Sequence, residues 1–116
     1  MKKILVTGSN GLLGQKIIEV LSGIETVGVI ATSLNVDKIV DVKGYDFELL
    51  DLTNHVETAY ITQTHNPDII INTAAMTQVD KCEEQKAECW KIDVEALKNL
   101  VQCSNDVKAH LIHLSS

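Results

Sequence analysis

Lys3-Ile4-Leu5-Val6-Thr7-Gly8-Ser9-Asn10-Gly11-Leu12-Leu13-Gly14 is the stretch that decides the fold. A short apolar run feeds straight into three glycines spaced three apart. An amphipathic pattern follows, with Leu13, Ile17, Val20 and Leu21 expected on one buried helix face. Strand, tight turn and helix in that order present unpaired N–H groups and the positive end of a helix dipole above the turn. A dinucleotide is therefore the first candidate ligand. Gly8 is expected to let the chain leave the strand sharply. Gly11 leaves room for a pyrophosphate against the backbone, and Gly14 lets the helix pack close to the sheet. The spacing is G-x-x-G-x-x-G, not the commoner G-x-G-x-x-G, and glycine triplets also occur in plain turns. The position between a strand and a helix is what favours a cofactor.

Outward from this turn, apolar runs alternate with helical patterns. Strands are expected over 3–7, 26–32, 45–50, 68–72 and 109–114, and helices over 12–21, 54–64 and 84–103. In the middle helix Val56, Ala59 and Tyr60 make an i, i+3, i+4 face, with Thr53 as N-cap and Pro67 separating it from the next strand. The stretch 36–44 reads as loop or a short crossover. The β-α-β rhythm predicts an α/β fold, a Rossmann-like doubly wound parallel sheet, truncated after the fifth strand. Ile69-Ile70-Ile71 suits a central strand buried on both faces.

The last helix carries two apolar stripes. Ala87, Trp90, Val94, Leu97 and Val101 form one, and Cys89, Ile92, Ala96, Leu100 and Cys103 the other. One stripe suffices to pack a helix on its own sheet. The second is explained either by burial beneath further structure or by a helix–helix homodimer contact through 84–103.

The chain has 116 residues, 45% of them hydrophobic, enough for one domain with a core. Its formal net charge is −6, and all ten basic residues are Lys. Neither a nucleic acid nor an anionic membrane is expected as partner, and no arginine fork is available. Nothing resembles a signal peptide or a membrane span. Cys82, Cys89 and Cys103 are odd in number and lack C-x-x-C spacing, which suits reduced thiols in a cytoplasmic protein. His55, His65, His110 and His113 show no metal-ligand spacing, so no metal site is expected.

Several residues at expected strand ends could carry chemistry. Asp51 follows the third strand, where a carboxylate either accepts from an adenine amino group or favours a helix start. Asn72-Thr73-Ala74-Ala75 follows the fourth strand, where small residues admit a ribose and nicotinamide or simply make a loop. Asp80, after Met76-Thr77-Gln78-Val79, is a cap candidate for the last helix. The end of the second strand, Ala31-Thr32-Ser33-Leu34, holds no acid to bind a ribose 2′-hydroxyl, and Asp37 lies beyond the turn. Thr32 and Ser33 offer hydroxyls to a 2′-phosphate instead. The cofactor is accordingly expected to be NADP or NAD, with a lean to NADP or dual use.

The chain resembles the extended short-chain dehydrogenase/reductase family over essentially its whole length. The matching pieces are the residues from Thr7 to Gly14, Asp51-Leu52-Thr53, the run from Asn66 to Glu83, and His113-Leu114-Ser115-Ser116. The N-x-A-A-x-T-x-V-D-x-x-E pattern beginning at Asn72 is similar to the sugar-nucleotide reductase branch. The resemblance implies that residues 1–116 are one NAD(P)-binding Rossmann domain, partial in that the family's Tyr-x-x-x-Lys segment and substrate domain lie downstream. It implies that Gly8, Ser9, Asn10, Gly11, Leu12, Leu13 and Gly14 are a cofactor-binding stretch in which Gly11, Leu12 and Leu13 contact the pyrophosphate through backbone, and that Asp51 and Leu52 flank the adenine. Thr73 and Ala74 would be cofactor-binding, Ala75, Met76 and Thr77 would lie along the nicotinamide ribose, and Ser116 would take the catalytic Ser/Thr position, bonding a carbonyl oxygen. Asp93 stands where the family usually has Asn, and an ionised Asp cannot donate the same hydrogen bond. Neither Tyr45 nor Tyr60 is followed by Lys four positions later. The implied intact protein reduces the C4 ketone of a deoxy-sugar nucleotide, while this chain alone is expected to be inactive. A sugar-nucleotide epimerase or dehydratase, or a non-catalytic dinucleotide-binding regulatory subunit, are the other readings on the same scaffold.

Overall fold

A computed structural model describes residues 1–37, 39, 42–73 and 86–114, with backbone only for 86–93. Eight elements follow one another: β1 (Lys2–Thr7), α1 (Leu12–Ser22), β2 (Val27–Ser33), β3 (Asp46–Leu49), α2 (His55–His65), β4 (Ile69–Asn72), α3 (Lys86–Asp106) and β5 (His110–His113). The strands form one five-stranded sheet in the order β3-β2-β1-β4-β5, and every neighbouring pair is parallel. This is the expected doubly wound arrangement, and each expected strand and helix is present within a few residues of its anticipated ends.

The pleat sorts the core into two layers. Leu5 lies level with Ile30 and Ile70 across the three central strands. That row packs with Leu50, Ile61 and Leu100 beneath α2 and α3. One residue on, Ile4 and Val6 point the other way and join Val29, Ala31 and Ile18 beneath α1. Leu5 and Val6 are fully buried, as a central strand covered on both faces requires.

Two helix faces differ from the expected ones. In α1 the buried positions are Gly14 and Ile18, flanked by half-buried Leu13, Ile17 and Leu21, while Val20 is 57% exposed. The close approach at Gly14 rotates the contact line so that Val20 falls outside it. In α2 the buried face is Thr58, Ile61 and Thr62, whereas Val56 and Tyr60 are 78% and 67% exposed. The threonine hydroxyls are hidden without loss because each donates along its own helix, Thr58 to Asn54 O at 2.8 Å and Thr62 to Thr58 O at 2.9 Å. The N-cap of α2 is Asn54, not Thr53: its side-chain oxygen accepts from Glu57 N at 3.1 Å. The helix stops at Asn66, left-handed at φ 45°, with Pro67 next. Within α3 the two stripes separate. Ala96, Leu100 and Cys103 are buried, while Val101 is 41% exposed and Val94 and Leu97 are half-buried.

Candidate functional site

The C-terminal ends of the strands lie along one edge of the sheet, Thr7 level with Thr32 and Asn72, and Asn72 level with His113. The strand order reverses between β1 and β4, so the crevice of such a sheet opens there.

The glycine turn joins β1 to α1 at this edge. Gly8 has φ +76°, a conformation that favours glycine, and Gly11 N donates back to its carbonyl at 3.1 Å. A Cβ on Gly14 would lie 2.2 Å from Gly8 O, so only glycine lets α1 approach this close. Gly11 is different: its φ is −73°, and a Cβ there would meet only Gly8 O at 3.4 Å. Among the described residues neither conformation nor packing requires glycine at that position. Gly11 caps α1 without a side-chain bond, and the first turn carries no acid. The helix itself thus supplies no group to offset its positive end. Leu12 is 91% exposed above it. The Ser9 hydroxyl is buried with no hydrogen-bond partner among the described residues.

The surrounding loops are tied to this turn. Ser9 N donates to Thr32 O at 3.0 Å, and the Asn10 amide reaches Val36 O at 2.8 Å and Asn35 O at 3.3 Å. Thr73 locks the other side: its N–H and hydroxyl both donate to Thr7 O, at 3.0 and 2.7 Å. Thr73 is 5% exposed, so its side chain holds the turn rather than facing the crevice. Thr32 is likewise turned inward, donating to Val6 O at 3.0 Å. Of the two hydroxyls considered for a 2′-phosphate, only that of Ser33 stands in a partly exposed residue. Asp37 is engaged within its loop, accepting from Ile39 N at 3.0 Å and from the Tyr45 hydroxyl at 2.5 Å. Burial first, then that hydrogen bond and the Asp37 charge, push the Tyr45 hydroxyl up to about 12.

Asn72 stands in the sequence as one residue of a strand-end motif, yet in the fold it links three strands. Its side-chain oxygen accepts from Thr7 Oγ1 at 2.6 Å, and its Nδ2 lies 3.0 Å from His113 Nδ1. Asparagine at the last position of a strand, beside a threonine that ends another, is the signal that marks it.

Beyond β3, Asp51 organises a turn. Its Oδ1 accepts from the Thr53 N–H at 3.0 Å and the Thr53 hydroxyl at 2.6 Å, and its N–H donates to Glu57 Oε1 at 3.2 Å. Leu52 and Thr53 present their carbonyls to Asn99 Nδ2, at 2.9 and 3.2 Å. Sequence reasoning did not single out Asn99.

Ala74, Ala75, Met76, Thr77, Asp80, Cys82, Ser115 and Ser116 lie outside the described residues, as do the side chains of Cys89, Trp90 and Asp93. Cys103 is buried; burial pushes its thiol up, partly offset by a hydrogen bond with Thr62, and Asp106 raises it further. Such a thiol is no nucleophile. Among the described residues no group of His, Cys, Asp and Glu could hold a metal, and no helix is long and apolar enough to cross a membrane.

The family model of the RmlD substrate binding domain matches residues 1–116. A dTDP-4-dehydrorhamnose reductase of Aggregatibacter actinomycetemcomitans is 27% identical over all of this chain and 35% of its own length. A solved dTDP-4-dehydrorhamnose reductase from Clostridium acetobutylicum is 37% identical, with TM-score 0.74 over 94% of this chain and 34% of that one. An L-threonine dehydrogenase from Clostridium difficile superposes with TM-score 0.82 at 26% identity, over 97% of this chain and 36% of that one. The chain spans about a third of the length of these relatives. The strand order, the glycine turn and a match from first residue to last agree: this chain belongs to the RmlD substrate-binding-domain family, among relatives named dTDP-4-dehydrorhamnose reductases.

Proposed function

We propose that these 116 residues are the nicotinamide-dinucleotide-binding part of a dTDP-4-dehydrorhamnose reductase-like enzyme, which reduces the C4 ketone of a deoxy-sugar nucleotide in the cytoplasm. The observation that carries this reading is the uncapped start of α1 beneath a bare Gly11, in a chain matched end to end by that family. A glycine that neither conformation nor packing among the described residues demands is explained by an outside group lying against it. A pyrophosphate fits, since the helix end offers N–H donors and a partial positive charge.

In this reading the backbone of Gly11, Leu12 and Leu13 binds the pyrophosphate, while Gly8, Ser9, Asn10 and Gly14 shape the turn. Asp51 and Leu52 flank the adenine; the Leu52 N–H has no acceptor among the described residues and is the natural donor to a ring nitrogen. Thr73 supports the turn, and Ala74, Ala75, Met76 and Thr77 follow the nicotinamide ribose. Ser116 donates a hydrogen bond to the substrate carbonyl oxygen and so favours charge developing there. When bound, the reduced nicotinamide supplies a hydride to the carbonyl carbon. Tyr45 is not the proton donor in this scheme, since its hydroxyl is held by Asp37, and Tyr60 projects from the outer face of α2.

NADP, or use of both NADP and NAD, is the proposed cofactor. Asp37 is occupied by Tyr45 and Ile39, which leaves it unsuited to a ribose 2′-hydroxyl, and Ser33 is the hydroxyl retained for a 2′-phosphate. Fluorescence titration of the full chain with NADPH and NADH tests the reading. Saturable binding of NADPH at least equal to NADH is expected, and binding of neither overturns it. The relatives' names favour the reductase over the epimerase, dehydratase and regulatory readings.

A homodimer contact through α3 is a separate proposal. Val94, Leu97, Lys98, Val101, Gln102 and Asn105 line an open, mainly apolar groove of about 430 Å³. Light scattering at micromolar concentration tests it, and a monomeric mass removes it.

A further inference from the structure

The turn of residues 51–54 is held from all sides. Asp51 O accepts from Asn54 N at 3.0 Å, Asp51 N–H goes to Glu57, and Thr53 N–H to Asp51 Oδ1. Asn54 O accepts from Thr58 N at 3.0 Å and from the Thr58 hydroxyl. The two remaining carbonyls, of Leu52 and Thr53, both go to the single amide of Asn99, 46 or more residues away in sequence. Asn99 is 9% exposed on a helix whose neighbouring Ala96, Leu100 and Cys103 are packed in the core. Its amide is therefore a fixed point relative to the sheet. Leu52 N–H is the turn's one backbone polar group without a partner among the described residues.

We infer that Asn99 is a positioning residue for adenine recognition: by holding the Leu52 and Thr53 carbonyls it fixes the turn that carries the Asp51 carboxylate and the Leu52 N–H, the latter without a partner among the described residues. The inference rests on the proposed placement of adenine beside Asp51 and Leu52. One amide reaching consecutive carbonyls holds the peptide planes that follow Leu52 and Thr53. The first carries the Thr53 N–H bonded to the Asp51 carboxylate, and the second the Asn54 N–H bonded to Asp51 O, the carbonyl that shares its plane with Leu52 N–H. Neither Ala nor Asp at position 99 can donate these bonds. Leu at that position keeps much of the volume and also removes both donors.

The test compares Asn99→Asp and Asn99→Leu in the full chain, against ADP, which carries adenine and pyrophosphate, and reduced nicotinamide mononucleotide, which lacks adenine. ADP binding is expected to weaken by about tenfold, the scale of removing one buried hydrogen bond, with the mononucleotide unchanged. Equal weakening of both ligands, or of neither, overturns the inference. Amide hydrogen exchange of the free protein separates the brace from the ligand reading. Thr53 and Asn54 are expected to exchange about tenfold faster in both variants, with Leu5 and Val6 of β1 unchanged. Unchanged exchange at Thr53 and Asn54 overturns the brace. Accelerated exchange in a chain whose wild type binds neither ligand upholds the brace while overturning the placement of adenine, and with it the inference.

Discussion

Gly11 and Gly14 sit three residues apart and answer to different partners. At Gly14 the methyl group of alanine would lie 2.2 Å from Gly8 O and 2.8 Å from Ser9 Cα, both backbone atoms that cannot swing away. Gly14→Ala is expected to force α1 off the sheet and cost about 3 kcal/mol, the upper range for overpacking, read as a lower denaturant midpoint. Gly11→Ala meets only ordinary contact and keeps an accessible φ. Its midpoint is expected to stay within about 0.5 kcal/mol of wild type, while NADPH affinity falls about tenfold or more. Tyr45 supplies a prediction in pH. Its hydroxyl is raised from 10.0 to about 12, so the folded chain holds a proton that the unfolded chain releases sooner. This contribution is complete below pH 10 and is lost as pH rises toward 12. Tyr45→Phe is expected to flatten that part of the stability profile; an unchanged slope between pH 10 and 12 would contradict the assignment.

At the scale of elements, α2 shows where sequence periodicity stops. Counting apolar residues selects Val56, Ala59 and Tyr60, because threonine is scored as polar. The structure buries Thr58 and Thr62 instead, since their hydroxyls bond to carbonyls one turn back and leave methyl groups facing the core. The two faces make opposite predictions. Ile61→Ala is expected to cost about 3 kcal/mol and Val56→Lys less than about 0.5 kcal/mol in chemical unfolding. The reverse order would restore the face read from sequence. The strands were more legible, because apolar runs such as Lys3–Thr7 that end at glycine or asparagine fix both type and terminus. The glycine turn was legible for the same reason: Gly8 and Gly14 are demanded by backbone geometry that local spacing encodes. Asn99 was not, because its partners lie 46 and 47 residues away and nothing local marks a polar side chain whose acceptor arrives through the fold. Asn72 was marked as a strand-end residue, but its bonds to Thr7 and His113, 65 and 41 residues away, were not.

For the whole molecule, the order β3-β2-β1-β4-β5 puts the loops after β1, β2, β3 and β4 along one edge, with contacts that already run between them. Ser9 bonds to Thr32, Asn10 to Val36, Thr73 to Thr7, and Asn99 to Leu52. A dinucleotide laid from Asp51 across Gly11 to residues 74–77 would touch loops from both halves of the sheet and so bind only the folded chain. Folding and binding are then linked: NADPH at about a hundredfold excess over its Kd is expected to raise the unfolding free energy by about 2.7 kcal/mol. The distribution of the effect is the sharper test. Amides at the C-terminal edge, Ser9, Leu50 and Thr73, each bonded across to another strand, are expected to exchange more slowly with NADPH through reduced local opening. Lys2 and Val27, at the opposite edge, are expected to follow only the global change. Slowing that is uniform over both edges would place the ligand elsewhere than in the crevice, even if the overall stabilisation had the expected size.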